Sequence, residues 1–501
     1  MTEGRRRLLF ALIAVLIVGV VLTQMWADPP YLKMVERNRI KTGGQQRELL
    51  VKLPGQFIVA SLAGFKEVIA GALWVRADTF FHEGNYQAII PVVRLVTWLD
   101  PHNIDVYTTG AWHLDYNFTD QRNQLSDKRY IPASVALLKE GIRNNPNIWD
   151  LYFELGWTHY NKKMMDYDGA LRYIEMACKK PGFDPNTGAK VPRPEFVDRM
   201  LAHAYERAGR FDDAIAQWQR ARKNVENLLK KDAKKRGTYV DRASLDVCDR
   251  NLSMLYLRLG WRYGDMESYR KGVEIVQRLA RRAAPTDAIR WASKGAAEDY
   301  ARRVATNNPP RDALKPLDTG FEVHWKRVRP KCIRIWGKLN LVRASEYKDL
   351  ASEPFTHWYQ DNEKASADAK KLWRDGSRVY WRLQDYDYKM PSLDTFDWKI
   401  DTTKTIQGGG PMEGIYVGGG QFSEEIDLGD PRDAEMYPFK SDKYRLTIWV
   451  TPQDPGCPDF VQDRIGWRGD AIRDARYLDT TTIPGFRMLR TEFVIDRKDI
   501  L

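Results

Sequence analysis

The sequence predicts a multidomain chain, α then β: an N-terminal transmembrane helix, an α-solenoid of helical repeats, and a C-terminal antiparallel β-sandwich-like domain. Three observations predict it. Twenty uncharged, mostly apolar residues run from Leu8 to Ala27. A pattern of small and aromatic residues at helical spacing recurs over roughly residues 70–290. From about Phe321 the apolar spacing turns to alternation, with Gly and Pro turns between short runs. The boundaries that follow are 1–27 for the anchor, 28–56 for a juxtamembrane linker, 57–310 for the repeats and 320–501 for the β-rich part. A chain of 501 residues exceeds one ordinary core, since domains run to about 100–200 residues. The mean hydropathy of −0.54 excludes a polytopic membrane protein, and four Cys exclude a disulfide scaffold.

The anchor comes first. Arg5, Arg6 and Arg7 precede the apolar run. Twenty helical residues at about 1.5 Å each span about 30 Å, the thickness of a bilayer core. Trp26 stands where an interfacial aromatic belongs, and Asp28, Pro29 and Pro30 stop the helix. The arginines keep the N-terminus inside, so the expected location is the cytoplasmic membrane, single-pass, with the bulk extracytoplasmic. A cleaved signal peptide competes with this reading. Against it, Met25 occupies the position where cleavage after Ala27 wants a small residue. The apolar run at 57–75 has Lys66 and Glu67 at its middle, which hydrocarbon would not accept cheaply. It reads as a helical hairpin broken near Gly64.

The repeats come next. Residues 201–221 (LAHAYERAGRFDDAIAQWQRA) set Leu201, Ala202 and Tyr205 in one helix against Phe211, Ala214, Trp218 and Ala221 in another, with Gly209 between. Ala77, Phe80 and Gly84 to Tyr86 begin an earlier copy that Pro101 closes. Gly110, Ala111 and Leu114 pair with Ser134, Leu138 and Gly141, across a long linker near residue 120. Leu155 and Gly156 pair with Ala170, Ile174 and Ala177. A weaker copy holds Leu252 to Leu259, then Tyr269, Gly272, Val276 and Leu279. Small residues suit a close helix crossing, and large ones fill the space around it.

These units resemble the tetratricopeptide repeat. The resemblance implies stacked helix pairs whose concave groove holds protein partners, with no catalytic residue and no cofactor. Its candidate groove residues are Trp112, His113, His159 and Tyr160, with inter-repeat packing as the alternative for each. The long linker and the Gly/Pro-rich insert at 181–194 break the regular period.

The +12 formal charge is not spread evenly. Residues 220–350 hold 31 Lys+Arg against 16 Asp+Glu, while residues 351–501 hold 21 against 27. The densest part is LLKKDAKKRG, with Lys230, Lys231, Lys234, Lys235 and Arg236. An acidic polymer or lipid headgroups would suit it; a solvated helix end is the alternative. Nucleic acid is not expected outside the cytoplasm.

In the C-terminal part, residues 332–342, 377–386, 396–400, 444–450 and 487–495 read as strands, and residues 362–373 as a helix. Aromatics are dense between Trp373 and Trp398, either as core or as a stacking platform for a glycan. Asp385, Asp387, Asp394 and Asp397 lack the spacing of a calcium loop. A disulfide between Cys332 and Cys457 is left open. No nucleophile elbow, zinc or haem motif occurs. The expected function is a membrane-anchored extracytoplasmic scaffold for protein–protein interaction and complex assembly, not an enzyme. The alternative is an envelope glycan- or polymer-binding protein that uses the aromatic β domain.

Overall fold

The structure, a computed structural model, describes residues 65–83, 86–117, 126–183, 189–230, 242–283, 288–307, 316–341, 377–391, 393, 404–408, 414–429, 439–453 and 465–501. It divides into two compact units, Met1–Ala111 with Arg143–Asn145, and Trp112–Ile142 with Pro146–Leu501.

In the first unit α1 (Lys66–His82) packs against α2 (Tyr86–Leu99). Ile89, Val93 and Val96 recur at helical spacing on α2 and are buried. α3 (Ile104–Trp112) begins in this unit. Asn145 donates to the Pro101 carbonyl at 2.9 Å.

The second unit carries α4 (Ile131–Asn144), α5 (Trp149–Phe153), α6 (Tyr167–Cys178), α7 (Phe196–Arg207), α8 (Phe211–Leu229), α9 (Arg242–Tyr263), α10 (Met266–Arg282) and α11 (Ala288–Thr306). α5 runs on as a wider π-helix over Glu154–Met164, and α3 likewise over His113–Asn117. The π-helix packs on α6, α7 on α8, and α9 on α10. Glycines permit the crossings: a Cβ on Gly156 would come within 2.8 Å of Ile174, and one on Gly260 within 2.5 Å of the Tyr269 nitrogen. The α7–α8 turn needs φ +68° at Gly209. The repeat positions Leu201, Ala202, Tyr205, Ala214, Trp218 and Ala221 are all buried. The helical part of this unit is thus a run of helical hairpins.

Among the described residues two antiparallel sheets follow. The larger has the order β1 (Ser126–Asp127), β7 (Ile406–Gly408), β6 (Ser377–Asp385), β10 (Lys443–Val450), β12 (Met488–Asp496), β11 (Leu478–Asp479), with β8 (Ile415–Val417) also on β6. The smaller joins β4 (Glu322–Arg329), β5 (Cys332–Lys338) and β9 (Gln421–Asp427). A two-stranded ladder, β2 (Gly182–Phe183) with β3 (Lys190–Val191), lies within the Gly/Pro-rich insert. The long linker near residue 120 supplies β1, so a repeat loop contributes an edge strand to the sheet. One apolar core runs from Leu171 and Trp218 in the helices to Leu446 and Ile448 in the sheet. Cys332 carries a free, buried thiol.

The expected fold class needs correction. Among the described residues no helix is long and apolar enough to cross a membrane. The long helices α8, α9 and α11 carry charges along their length; α9 alone holds Asp246, Asp249, Arg250 and Arg258. The run from Leu8 to Ala27, on which the transmembrane helix rested, lies outside the described residues. So do the linker 28–56, the strand at 396–400, the helix at 362–373 and Cys457. The chain is helical, then sheet. Nor is the larger sheet one half of a free-standing sandwich, because helical residues face part of its second surface.

Candidate functional site

Strand alternation builds the site. Along β10, Tyr444, Leu446, Ile448 and Val450 point into the core, and Arg445, Thr447 and Trp449 point the other way. The ladder sets these beside neighbours of the same face. Thr447 lies between Arg382 of β6 and Glu492 of β12, and Trp449 between Tyr380 and Arg490. The second face of the larger sheet is therefore polar and aromatic.

That face lines a cavity of about 630 Å³. The opposite wall is the turn Lys163 to Asp168, between the π-helix and α6. Met165 makes that turn with φ 54°, and Asp166 caps α6 by accepting from the Gly169 nitrogen at 2.9 Å. A third wall is the loop of Thr482, Ile483 and Pro484. The cavity falls within the 300–1,000 Å³ or so usual for ligand sites. The walls are pinned together. The Tyr167 hydroxyl donates to the Gln453 carbonyl at 2.6 Å, and the Gln453 amide donates to the Arg207 carbonyl at 2.8 Å.

Glu492 organises the charge on the sheet face. It accepts from Arg490 at 2.6 Å and from the Thr447 hydroxyl at 3.3 Å, and Arg445 stands 4.0 Å away. Arg382 projects from the neighbouring strand with its guanidinium 5.7 Å from the centre of the Trp449 ring.

The residues expected from sequence lie elsewhere. Trp112 is exposed and stacks on Tyr116 at 6.0 Å, with His113 against its edge at 5.7 Å. Tyr116 meets His159 edge-on at 6.5 Å. His159 itself is wholly buried, as are its partners Asp115 and Ser134. Both approach the same ring nitrogen, Nδ1, Ser134 at 2.9 Å. The other ring nitrogen, Nε2, lies 4.0 Å from the Glu154 carboxylate. Tyr160 is buried and stacks on Tyr173 at 5.4 Å. Burial raises its pKa, and Lys139 partly offsets this. The structure thus brings Trp112, His113 and His159 together through Tyr116, and keeps Tyr160 in the core. Lys230 is exposed at the end of α8; Lys231, Lys234, Lys235 and Arg236 lie outside the described residues. Tyr380 and Trp381 of the aromatic-rich segment are fully buried, whereas Tyr386 is exposed.

Sequence reasoning missed Arg382, Arg445, Trp449 and Arg490. The signal was the polar set Arg445, Thr447, Trp449 and Thr451 at every second position. In an isolated strand that pattern signifies solvent.

No family model matches this chain, and no curated protein does. Among solved structures it is similar to one titled "Crystal structure of MamA protein", at 14% identity over 44% of this chain and 97% of that one, with a TM-score of 0.27. A score that low carries no argument about the fold.

Proposed function

We propose that this chain is a binding scaffold, in which tetratricopeptide-like hairpins and a β-sheet together wall a cavity that receives part of a protein partner. One observation carries the reading: the polar face of the larger sheet and the helical turn Lys163 to Asp168 line one open cavity of about 630 Å³. Two hydrogen bonds, through Tyr167 and Gln453, hold the walls at fixed spacing. Operation outside the cytoplasm is part of the proposal, on the sequence from Arg5 to Ala27 alone.

The test is capture from intact cells with a crosslinker that does not enter the cytoplasm, using the tagged full chain and an Ile483→Trp variant. Ile483 stands in the cavity wall, so the larger ring narrows the space. The expected result is a defined protein partner on the wild type that the variant loses at unchanged melting temperature. Equal capture by both would remove the cavity from the reading. Capture of nothing would end it.

A further inference from the structure

The charges in the cavity are not all paired. Four cations line it, Lys163, Arg382, Arg445 and Arg490, against three carboxylates, Asp166, Asp168 and Glu492. Three of the cations are engaged. Lys163 lies 4.7 Å from the centre of the Tyr116 ring. Arg490 donates to Glu492 and to the Thr482 hydroxyl, at 2.6 and 2.7 Å, and pairs with Asp479 at 3.4 Å. Arg445 shares Glu492 and lies 5.1 Å from the Tyr386 ring centre.

Arg382 differs. Its surroundings hold Tyr388, Trp449 and the like charge of Arg490, and among the described residues no carboxylate pairs with it. The loss of hydration, with repulsion from Arg490, lowers its pKa below the usual arginine value, against a smaller opposing effect of Tyr388. An arginine nevertheless keeps its charge in a protein. The side chain is exposed to the cavity, so its N–H donors are open to an incoming anion. The remaining walls are largely apolar: Met390, Trp449, Ile483, Phe486 and Met488.

We infer that Arg382 receives the carboxylate of a ligand whose apolar body lies along Trp449, Ile483 and Met488. The inference rests on the cavity being the binding site. A guanidinium presents paired N–H donors that match a carboxylate. One guanidinium without a carboxylate fits a monoanion; a dianion would meet Glu492, Asp166 and Asp168. Two sources offer this chemistry, the C-terminus of an apolar peptide and a fatty acyl chain.

Calorimetric titration of the full chain separates them. One probe pair is N-acetyl-trileucine as free acid and as amide; the other is dodecanoate and dodecanol. The expected result is an acid that binds at least tenfold more tightly than its neutral partner, in one pair or both. The pair that shows it names the source. Arg382→Gln should abolish the difference without weakening the neutral probe, and Arg382→Lys should keep part of it. Equal binding of acid and neutral probe, or a preference that survives Arg382→Gln, overturns the inference. Absence of binding by either acid overturns it too, while partner capture lost in Ile483→Trp would leave the scaffold reading intact. The wild-type comparison stands even if a variant fails to fold.

Discussion

Asp479 fixes the loop that closes the cavity. Its carboxylate accepts from the Thr481 nitrogen at 2.8 Å, the Thr482 nitrogen at 3.0 Å and the Thr482 hydroxyl at 2.5 Å. Burial alone would raise its pKa, but these bonds to the charged form outweigh it, and the net shift is well below the usual carboxylate value. The sign follows. With the folded value depressed, the stabilisation is complete above the unfolded pKa of about 3.9 and is lost as pH falls through the folded value. Asp479→Asn should therefore cost about 1–3 kcal/mol at pH 7, and the gap to wild type should close as urea unfolding is repeated below pH 4. Parallel pH profiles would show that the carboxylate charge contributes nothing. None of this was legible in the run of residues 478–482, where an aspartate before threonines reads as an ordinary turn. The same is true of Arg382. Its residue type and strand were readable, but that no described carboxylate pairs with it depends on strands that lie tens of residues away.

At the scale of elements, two glycines make opposite predictions. Gly260 of α9 faces the backbone of α10, where a Cβ would stand 2.5 Å from the Tyr269 nitrogen. A backbone atom cannot turn aside. Gly260→Ala gains roughly 1 kcal/mol of helix propensity and loses about 1–3 kcal/mol to overpacking, so a lower urea midpoint is expected. Gly71 of α1 has nothing within 4 Å of its notional Cβ, and Gly71→Ala should raise stability by about 0.5–1 kcal/mol. Destabilisation by Gly71→Ala, or none by Gly260→Ala, would contradict the packing described. The helix pairs were legible because small and large residues alternate at their crossings. The strands β5, β6, β10 and β12 were legible because one side of each is apolar. β9 was missed because Ser423, Glu424 and Glu425 occupy its middle, and such residues have little preference for strands. β1 escaped notice for another reason: two residues in a repeat loop become a strand only where β7 pairs with them.

At the scale of the second unit, Trp467 joins helices to sheet region. Phe211 of α8 meets its ring at 4.4 Å, and Arg258 of α9 lies 4.4 Å over it. Next to it Arg468 donates to the Gly209 carbonyl at 2.8 Å. Trp467→Ala should cost about 3–5 kcal/mol. It should also split one unfolding transition into two, helical signal and aromatic signal separating in a circular dichroism melt. A single coincident transition shifted by only a degree or two would mean that the join lies elsewhere.

The sequence by itself determined the succession of helical hairpins and then antiparallel strands, because periods of 3.6 and 2 are local properties set by which face each element must bury. It did not determine the membrane helix that was expected, since no described helix meets that need. Tertiary structure alone decided what the polar face of β10 is for. A row of Arg445, Thr447 and Trp449 has the same local pattern in water as against a cavity wall. Only the arrival of the Lys163 to Asp168 turn and the Thr482 to Pro484 loop, from far along the chain, gives Arg382 a cavity to face.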